Sequence, residues 1–306
     1  MQKCRINSLK YLTLVIILLI AQIQATDYSY INQGSDWGGT CTSGSLQSPI
    51  DISDVQGSCD NTMNLTLQLS NQNLNTQILK SQVLSSTAPA NQYWSYLYAS
   101  NLDGVISGYQ SNYFSIHSPA ENYLNGSQPD VELQIFHTIN TNFAQTAPST
   151  STEPITQFAI VSIMFSINDS ATSTFFSSYD PSKASASSTS APQISLNMTQ
   201  ALSNLDLTSS YYLYQGSLTY PPCTESVNWY VYSQVQPITT AQLSSISIYF
   251  KGDLQFAKGA GNNRPLQSVN GRTIKKGNIQ CEEQFIHFFS FFVIYTFLNF
   301  FVCKML

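Results

Sequence analysis

Between residues 65 and 250 the chain is cut into short apolar segments, many alternating residue by residue, with no long amphipathic helix among them. The segments are Leu65 to Leu69, Tyr93 to Tyr98, Tyr113 to His117, Val131 to His137, Phe158 to Ile167, Tyr211 to Tyr214, Val227 to Val235 and Ser247 to Phe250. They are rich in Ile, Val, Phe, Tyr and Trp, and Gly, Pro, Asn or Ser clusters bound them, which is the pattern of strands. A mainly β (α+β) domain with a large sheet follows. Thr239 to Ser245 and Thr199 to Leu205 are the two short helix candidates, the first after Pro237. The Ser/Thr-rich stretches Gln145 to Glu153 and Ser182 to Ser195 read as surface loops, because strand-like sequence resumes after each. One domain over residues 26–276 is therefore expected.

Both ends differ from this middle. Lys3, Arg5 and Lys10 precede the apolar run Tyr11 to Ile20, and Ile23-Gln24-Ala25 offers a cleavage site, so residues 1–25 read as a signal peptide. The stretch 277–306 holds a polar spacer and then the apolar run Phe285 to Cys303. That run fits a signal exchanged for a GPI-type lipid anchor or a single membrane helix. The anchor is preferred, because only Lys304-Met305-Leu306 follow. Either reading places the domain on the extracellular face of the membrane through the secretory pathway.

Only 9% of the chain is Asp, Glu, Lys or Arg, and the net charge is -5. No basic stripe exists to neutralise phosphates, which excludes nucleic acid as a partner. Outside the terminal segments lie Cys41, Cys59, Cys223 and Cys281, four cysteines that allow three pairings. Sequons at Asn64, Asn125, Asn168 and Asn197 fit a glycosylated surface.

The chemistry concentrates in Tyr113 to His137 (YFSIHSPAENYLNGSQPDVELQIFH) and Tyr214 to Trp229 (YQGSLTYPPCTESVNW). Alternation puts Ser115 and His117 on one face of one strand, and Glu132, Gln134 and Phe136 on one face of another. Gln47 to Ile52 (QSPIDI), Ser118 to Asn122 (SPAEN), Tyr214 to Trp229 and Asn263 to Gln267 (NRPLQ) follow in order. In these motifs the sequence resembles the α-class carbonic anhydrases, from about Asp36 to Arg272, and in particular their catalytically impaired relatives. The resemblance implies one domain around a large, mostly antiparallel twisted sheet. It also implies a disulfide between Cys41 and Cys223, leaving Cys59 and Cys281 to pair with each other or stay free.

Chemistry in that family rests on zinc held by three histidines, with water in the open fourth position. In carbonic anhydrase the metal takes the pKa of that water from 15.7 to about 7. At about 1.36 kcal/mol per pKa unit, this is on the order of 12 kcal/mol in favour of hydroxide. By the resemblance the three ligand positions fall on Ser115, His117 and Gln134. The chain holds three histidines, His117, His137 and His287, of which His287 lies in the apolar tail and His137 projects from the opposite side of its strand to Gln134. A three-histidine site is therefore not available, and no histidine precedes His117 to act as a proton shuttle.

The resemblance further places Thr219 where the family's threonine accepts a hydrogen bond from zinc-bound hydroxide, and Glu121 where a glutamate orients that threonine. It matches Glu132 to the carboxylate behind the third histidine, with the Gln134 amide able to donate where an imidazole once did. Leu218, Phe136 and Ile160 match the apolar substrate wall, and Tyr220 replaces a second threonine and narrows the pocket. The reading that follows is a cell-surface or secreted carbonic-anhydrase-like protein without efficient zinc binding or CO2 hydration. No cofactor is expected; the one candidate is zinc at a degenerate site. The partner would be an extracellular protein or a small ligand held between Tyr220 and Phe136 with Glu121 or Glu132 as polar anchor. The alternative is a weakly active metal-dependent carbonate dehydratase.

Overall fold

The computed structural model describes residues 28–53, 57–60, 62–143, 156–251, 257 and 259–277. The signal segment, the apolar tail, Cys281 and the loop Gln145 to Glu153 lie outside these residues. Among the described residues, no helix is long and apolar enough to cross a membrane.

A 12-stranded curled sheet carries the structure. Its main path runs Gly57–Cys59, Ile274–Gly277, Tyr211–Ser217, Glu225–Tyr232, Phe158–Ile167, Val131–Ile139, Ile106–His117, Leu84–Thr87, Leu79–Lys80. Leu65–Leu69 and Ser95–Ser100 extend it as a side branch on Ile106–His117. The pairings are antiparallel, except that Phe158–Ile167 runs parallel to Glu225–Tyr232 and to Gln236–Ile238, and Ile274–Gly277 parallel to Gly57–Cys59. The mostly antiparallel sheet that the resemblance implied is thus present.

Phe158–Ile167 reads FAIVSIMFSI, almost wholly apolar, because seven consecutive residues of this central strand are buried and both its faces are covered. One face packs the larger core, with Trp94, Leu97, Phe114, Leu133, Val161 and Tyr230. The other packs Ile50, Ile160, Met164, Tyr214, Trp229 and Ile274, and this is the face that bears Ser115, His117 and Gln134.

The expectation of a strand at Ser247 to Phe250 is corrected: these residues continue one helix, Thr240–Lys251. Leu243, Ile246 and Phe250 are spaced three and four apart and pack into the larger core, whereas Ile248 is 67% exposed. A four-residue Ser/Ile alternation is too short to distinguish the two periods. The Thr239 hydroxyl accepts from the Gln242 backbone N–H at 3.2 Å and starts the helix. The other helix candidate is a single turn, Met198–Ala201, capped by the Asn197 side chain, which accepts from the Gln200 N–H.

Candidate functional site

Strand register brings the site together. Ser115 sits directly across from Gln134, and His117 across from Glu132. The polar row continues from Ser115 to Ser85 on one side and from Gln134 to Ser162 on the other. One register step along, Tyr113, Phe136, Ile160, Trp229 and Tyr214 make an apolar row across five strands. His117, Glu121, Glu132, Gln134 and Thr219 are all fully buried.

His117 is fixed by the segment near residue 262. Its Nδ1 lies 2.8 Å from the Asn262 carbonyl oxygen, which can only accept, so Nδ1 carries the proton and Nε2 a lone pair. Nε2 points back at the Ser115 hydroxyl, 3.4 Å away. Burial holds the imidazole below its ordinary pKa. Its 3.4 Å approach to Glu121 Oε1 is therefore a contact of a neutral ring, not an ion pair. His137 faces the other way, bonded to Ser95 Oγ and the Ile135 carbonyl, and burial lowers its pKa to about 3.

The two glutamates divide the polar partners differently from the sequence expectation. Glu132 Oε2 accepts the backbone N–H groups of Glu121 and Asn122, and Oε1 accepts Asn122 Nδ2 and Ser162 Oγ, at 2.7–2.9 Å. With four donors it is satisfied without Gln134. The Gln134 amide instead donates to Glu121 Oε2 at 2.9 Å, while Glu121 Oε1 accepts the Arg264 backbone N–H at 2.9 Å. Gln134 Oε1 and Thr219 Oγ1 are buried without a hydrogen-bond partner among the described residues. The Thr219 hydroxyl lies close enough to Glu121 to lower its pKa, yet makes no well-formed bond to it.

Thr219 and Tyr220 stand on the turn after Tyr211–Ser217, closed by Leu218 N–H to the Thr224 carbonyl and Cys223 N–H to the Tyr220 carbonyl. The Cys41–Cys223 disulfide ties this turn to the short helix Thr40–Ser43, so the pairing expected from the resemblance is present. Over the site lies a chain of half-buried rings. Tyr28 stacks on Tyr220 at 6.0 Å, Tyr220 approaches Phe136 at 6.2 Å, and Phe136 approaches Tyr113 at 5.3 Å. Ile160 is buried behind Phe136, and Leu218 packs against the same core.

Sequence reasoning did not find Asn262, Asn122, Ser162, Tyr28 or Tyr113 as parts of this arrangement. Asn122 carried a legible signal, since it occupies a position in SPAEN where the resembled motif has histidine. The others act through distant strand and loop packing that no local pattern reports.

Residues 32–278 match the sequence model of the family described as eukaryotic-type carbonic anhydrase. The chain belongs to that family. It is 25% identical over 264 residues to alpha carbonic anhydrase 8 of Arabidopsis thaliana, covering 81% of this chain and 60% of that protein. It is 27% identical over 166 residues to dioscorin DB3S of Dioscorea polystachya, 54% of each chain. The chain thus spans little more than half the length of these two relatives. The crystal structure of a halotolerant carbonic anhydrase from Dunaliella salina has the same fold, with a TM-score of 0.60 at 22% identity over 82% of this chain and 97% of the other. Among the described residues, no three His, Cys, Asp or Glu side chains are grouped as a metal ion requires.

The Glu121 carboxyl is pushed up to about 7, first by burial, with Thr219, Arg264 and Gln134 opposing. In the unfolded chain the same group titrates near 4.5. A raised folded pKa means that folding binds a proton. Stability is therefore lost as pH rises from about 4.5 to about 7, by on the order of 3 kcal/mol. Glu121→Gln should remove this loss, because Gln134 can turn its unpartnered Oε1 toward the new amide. Urea midpoints at pH 5 and pH 8 test it: the variant should gain on the wild type at pH 8 by more than at pH 5. An equal offset at both pH values would refute the account.

Proposed function

We propose that this protein is a cell-surface or secreted carbonic-anhydrase-like domain that neither binds zinc efficiently nor hydrates CO2 efficiently. The donor set carries the reading. At the three positions matched to the family's ligands stand one imidazole, one hydroxyl and one amide, and the amide nitrogen is committed to Glu121. Neutral serine and an amide oxygen are weak zinc donors beside imidazole. These residues do not fit the family's metal, so no step is assigned to it. The aromatic chain Tyr28–Tyr220–Phe136–Tyr113 also narrows access for a substrate. Function would then lie in recognition at an outward-facing surface.

An extracellular location is supported by the 182-residue Cys41–Cys223 disulfide, which persists in oxidising compartments, and by the signal-like N-terminus. Asn64, Asn125 and Asn168 are exposed, as glycan acceptors must be. Asn197 is half-buried, which makes it the least open of the four sequon asparagines.

A second reading, a weakly active metal-dependent carbonate dehydratase, is favoured by three atoms. His117 Nε2 holds a lone pair, and Gln134 Oε1 and Thr219 Oγ1 lack partners. Metal analysis and a CO2 hydration assay on the full-length protein separate the two readings. Under the first, zinc stays well below one per chain and hydration at the buffer rate. Stoichiometric zinc with a rate abolished by chelator and by His117→Ala would establish the second.

A further inference from the structure

Under the chain of rings from Tyr28 to Tyr113, three atoms of fully buried side chains carry lone pairs that no close donor takes up. Gln134 Oε1 and Thr219 Oγ1 have no hydrogen-bond partner among the described residues. His117 Nε2 has only the Ser115 hydroxyl, 3.4 Å away. Thr219 lies beside the Glu121 carboxyl, and a proton given to it would still leave the hydroxyl's lone pairs unused. Buried acceptors in this state are uncommon in folded proteins and call for a donor.

The three side chains meet at one place. Glu121 Oε2 accepts the Gln134 amide at 2.9 Å, and Glu121 Oε1 lies 3.4 Å from His117 Nδ1. Ser115, toward which His117 Nε2 points, stands directly across from Gln134. The row that carries them runs Ser85, Ser115, Gln134, Ser162. Serine at all but one position leaves little side-chain bulk between the sheet and the rings. The polarity there is one-sided. The imidazole Nε2 and the amide oxygen can only accept, and the Arg264 guanidinium is taken up by the Gln47, Ser48 and Cys41 oxygens.

We infer that this site takes the –NH3+ head of a small primary amine, an inference that rests on the reading above that zinc does not hold His117 Nε2. Such a head has three N–H donors and no acceptor, one donor for each of the three atoms. A buried charge needs a counter-charge, and the Glu121 carboxyl stands beside them. The rings of Tyr220 and Phe136 give the cation and its alkyl end an aromatic surface. An anion would meet only lone pairs and a carboxyl. A hard metal ion would gain little from the imidazole. A neutral alcohol brings one donor where three are wanted.

The test uses the full-length protein with 15N-labelled histidine at pH 8, its zinc content measured and any metal then removed by chelator. Methylammonium at constant ionic strength should shift the His117 Nε2 resonance and raise the urea midpoint, both saturably. Tetramethylammonium, with the same charge but no N–H, and methanol, with a donor but no charge, should do neither. Butylammonium, as long as a lysine stem, should bind at least tenfold more weakly, because the rings narrow the entrance. Thr219→Val should weaken methylammonium binding tenfold or more, and Thr219→Ser, which keeps the hydroxyl, should retain it. An equal response to tetramethylammonium or methanol, or unchanged binding by Thr219→Val, would overturn the inference. Butylammonium binding as tightly as methylammonium would replace the small amine by a lysine side chain of a partner. Stoichiometric zinc before chelation would overturn the reading on which the inference rests, whereas a zinc-free protein that ignores methylammonium overturns this inference alone.

Discussion

Replacing Ser115 and Gln134 together by histidine is expected to give a protein that binds one zinc per chain. The two positions face each other across neighbouring strands, and His117 lies two residues along from Ser115 on the same face. His117 is already poised as a ligand, with Nδ1–H held by the Asn262 carbonyl and Nε2 released to coordinate once the Ser115 hydroxyl is replaced. Three imidazoles would then converge from two strands, leaving the fourth tetrahedral position open. The new side chain at 134 would meet Glu121, which loses the Gln134 amide and can take an imidazole N–H in its place. Metal analysis should move from trace to stoichiometric zinc. Thermal unfolding should become zinc-dependent, with about 2.7 kcal/mol of stabilisation at a hundredfold excess over Kd. His117→Ala in the double variant should remove both effects. CO2 hydration should lag behind metal binding until Tyr220→Thr opens the aromatic chain over the site. A folded double variant that takes up no zinc would show that these three positions do not form the family's ligand set.

Loss of Arg264 is expected to be the most damaging single substitution in the frame around the site. Its guanidinium is 2% exposed and donates to Gln47 Oε1, the Ser48 carbonyl and the Cys41 carbonyl at 2.6–3.0 Å. It also lies 6.0 Å from the centre of the Trp37 ring. One side chain thus joins the N-terminal segment and the QSPIDI motif to the segment whose backbone N–H bonds Glu121. Arg264→Met would strand three buried acceptors at once, and breaking such a buried charged network costs about 3–5 kcal/mol. Arg264→Lys should recover only a minor part, because an ammonium cannot reproduce the planar fork. Urea unfolding at pH 7 measures both. A loss under about 1 kcal/mol for Arg264→Met would remove Arg264 from this role.

The alternation of Val131–Ile139, the apolar run Phe158–Ile167 and the count of three histidines made the sheet and the missing ligands legible from the sequence. The same reading placed His137 on the far side of its strand, where Ser95 holds it. What stayed hidden was the redistribution of hydrogen bonds. Nothing local says that Asn122 and Ser162 saturate Glu132, which leaves Gln134 to turn to Glu121. Each of these contacts joins residues ten or more apart in the chain, and the choice among them depends on angles at buried atoms. The first half of the helix Thr240–Lys251 was legible as Thr239 to Ser245, but its continuation escaped for the opposite reason, since its last turn imitates a strand over four residues.

The sheet order has a consequence for how the chain must be made. Gly57–Cys59 is among the first strands to leave the ribosome, and its partner, Ile274–Gly277, is the last described strand. Ile274–Gly277 also covers the edge of Tyr211–Ser217, and Asn262 and Arg264 close over His117 and Glu121 from just upstream of it. Until that late stretch has emerged, His117 lacks the carbonyl that orients it and two strands keep open edges. Long-range pairing of this kind folds slowly and leaves edges open to aggregation. Nascent chains stopped before residue 262 should therefore depend on chaperones rather than fold as shorter versions of the domain.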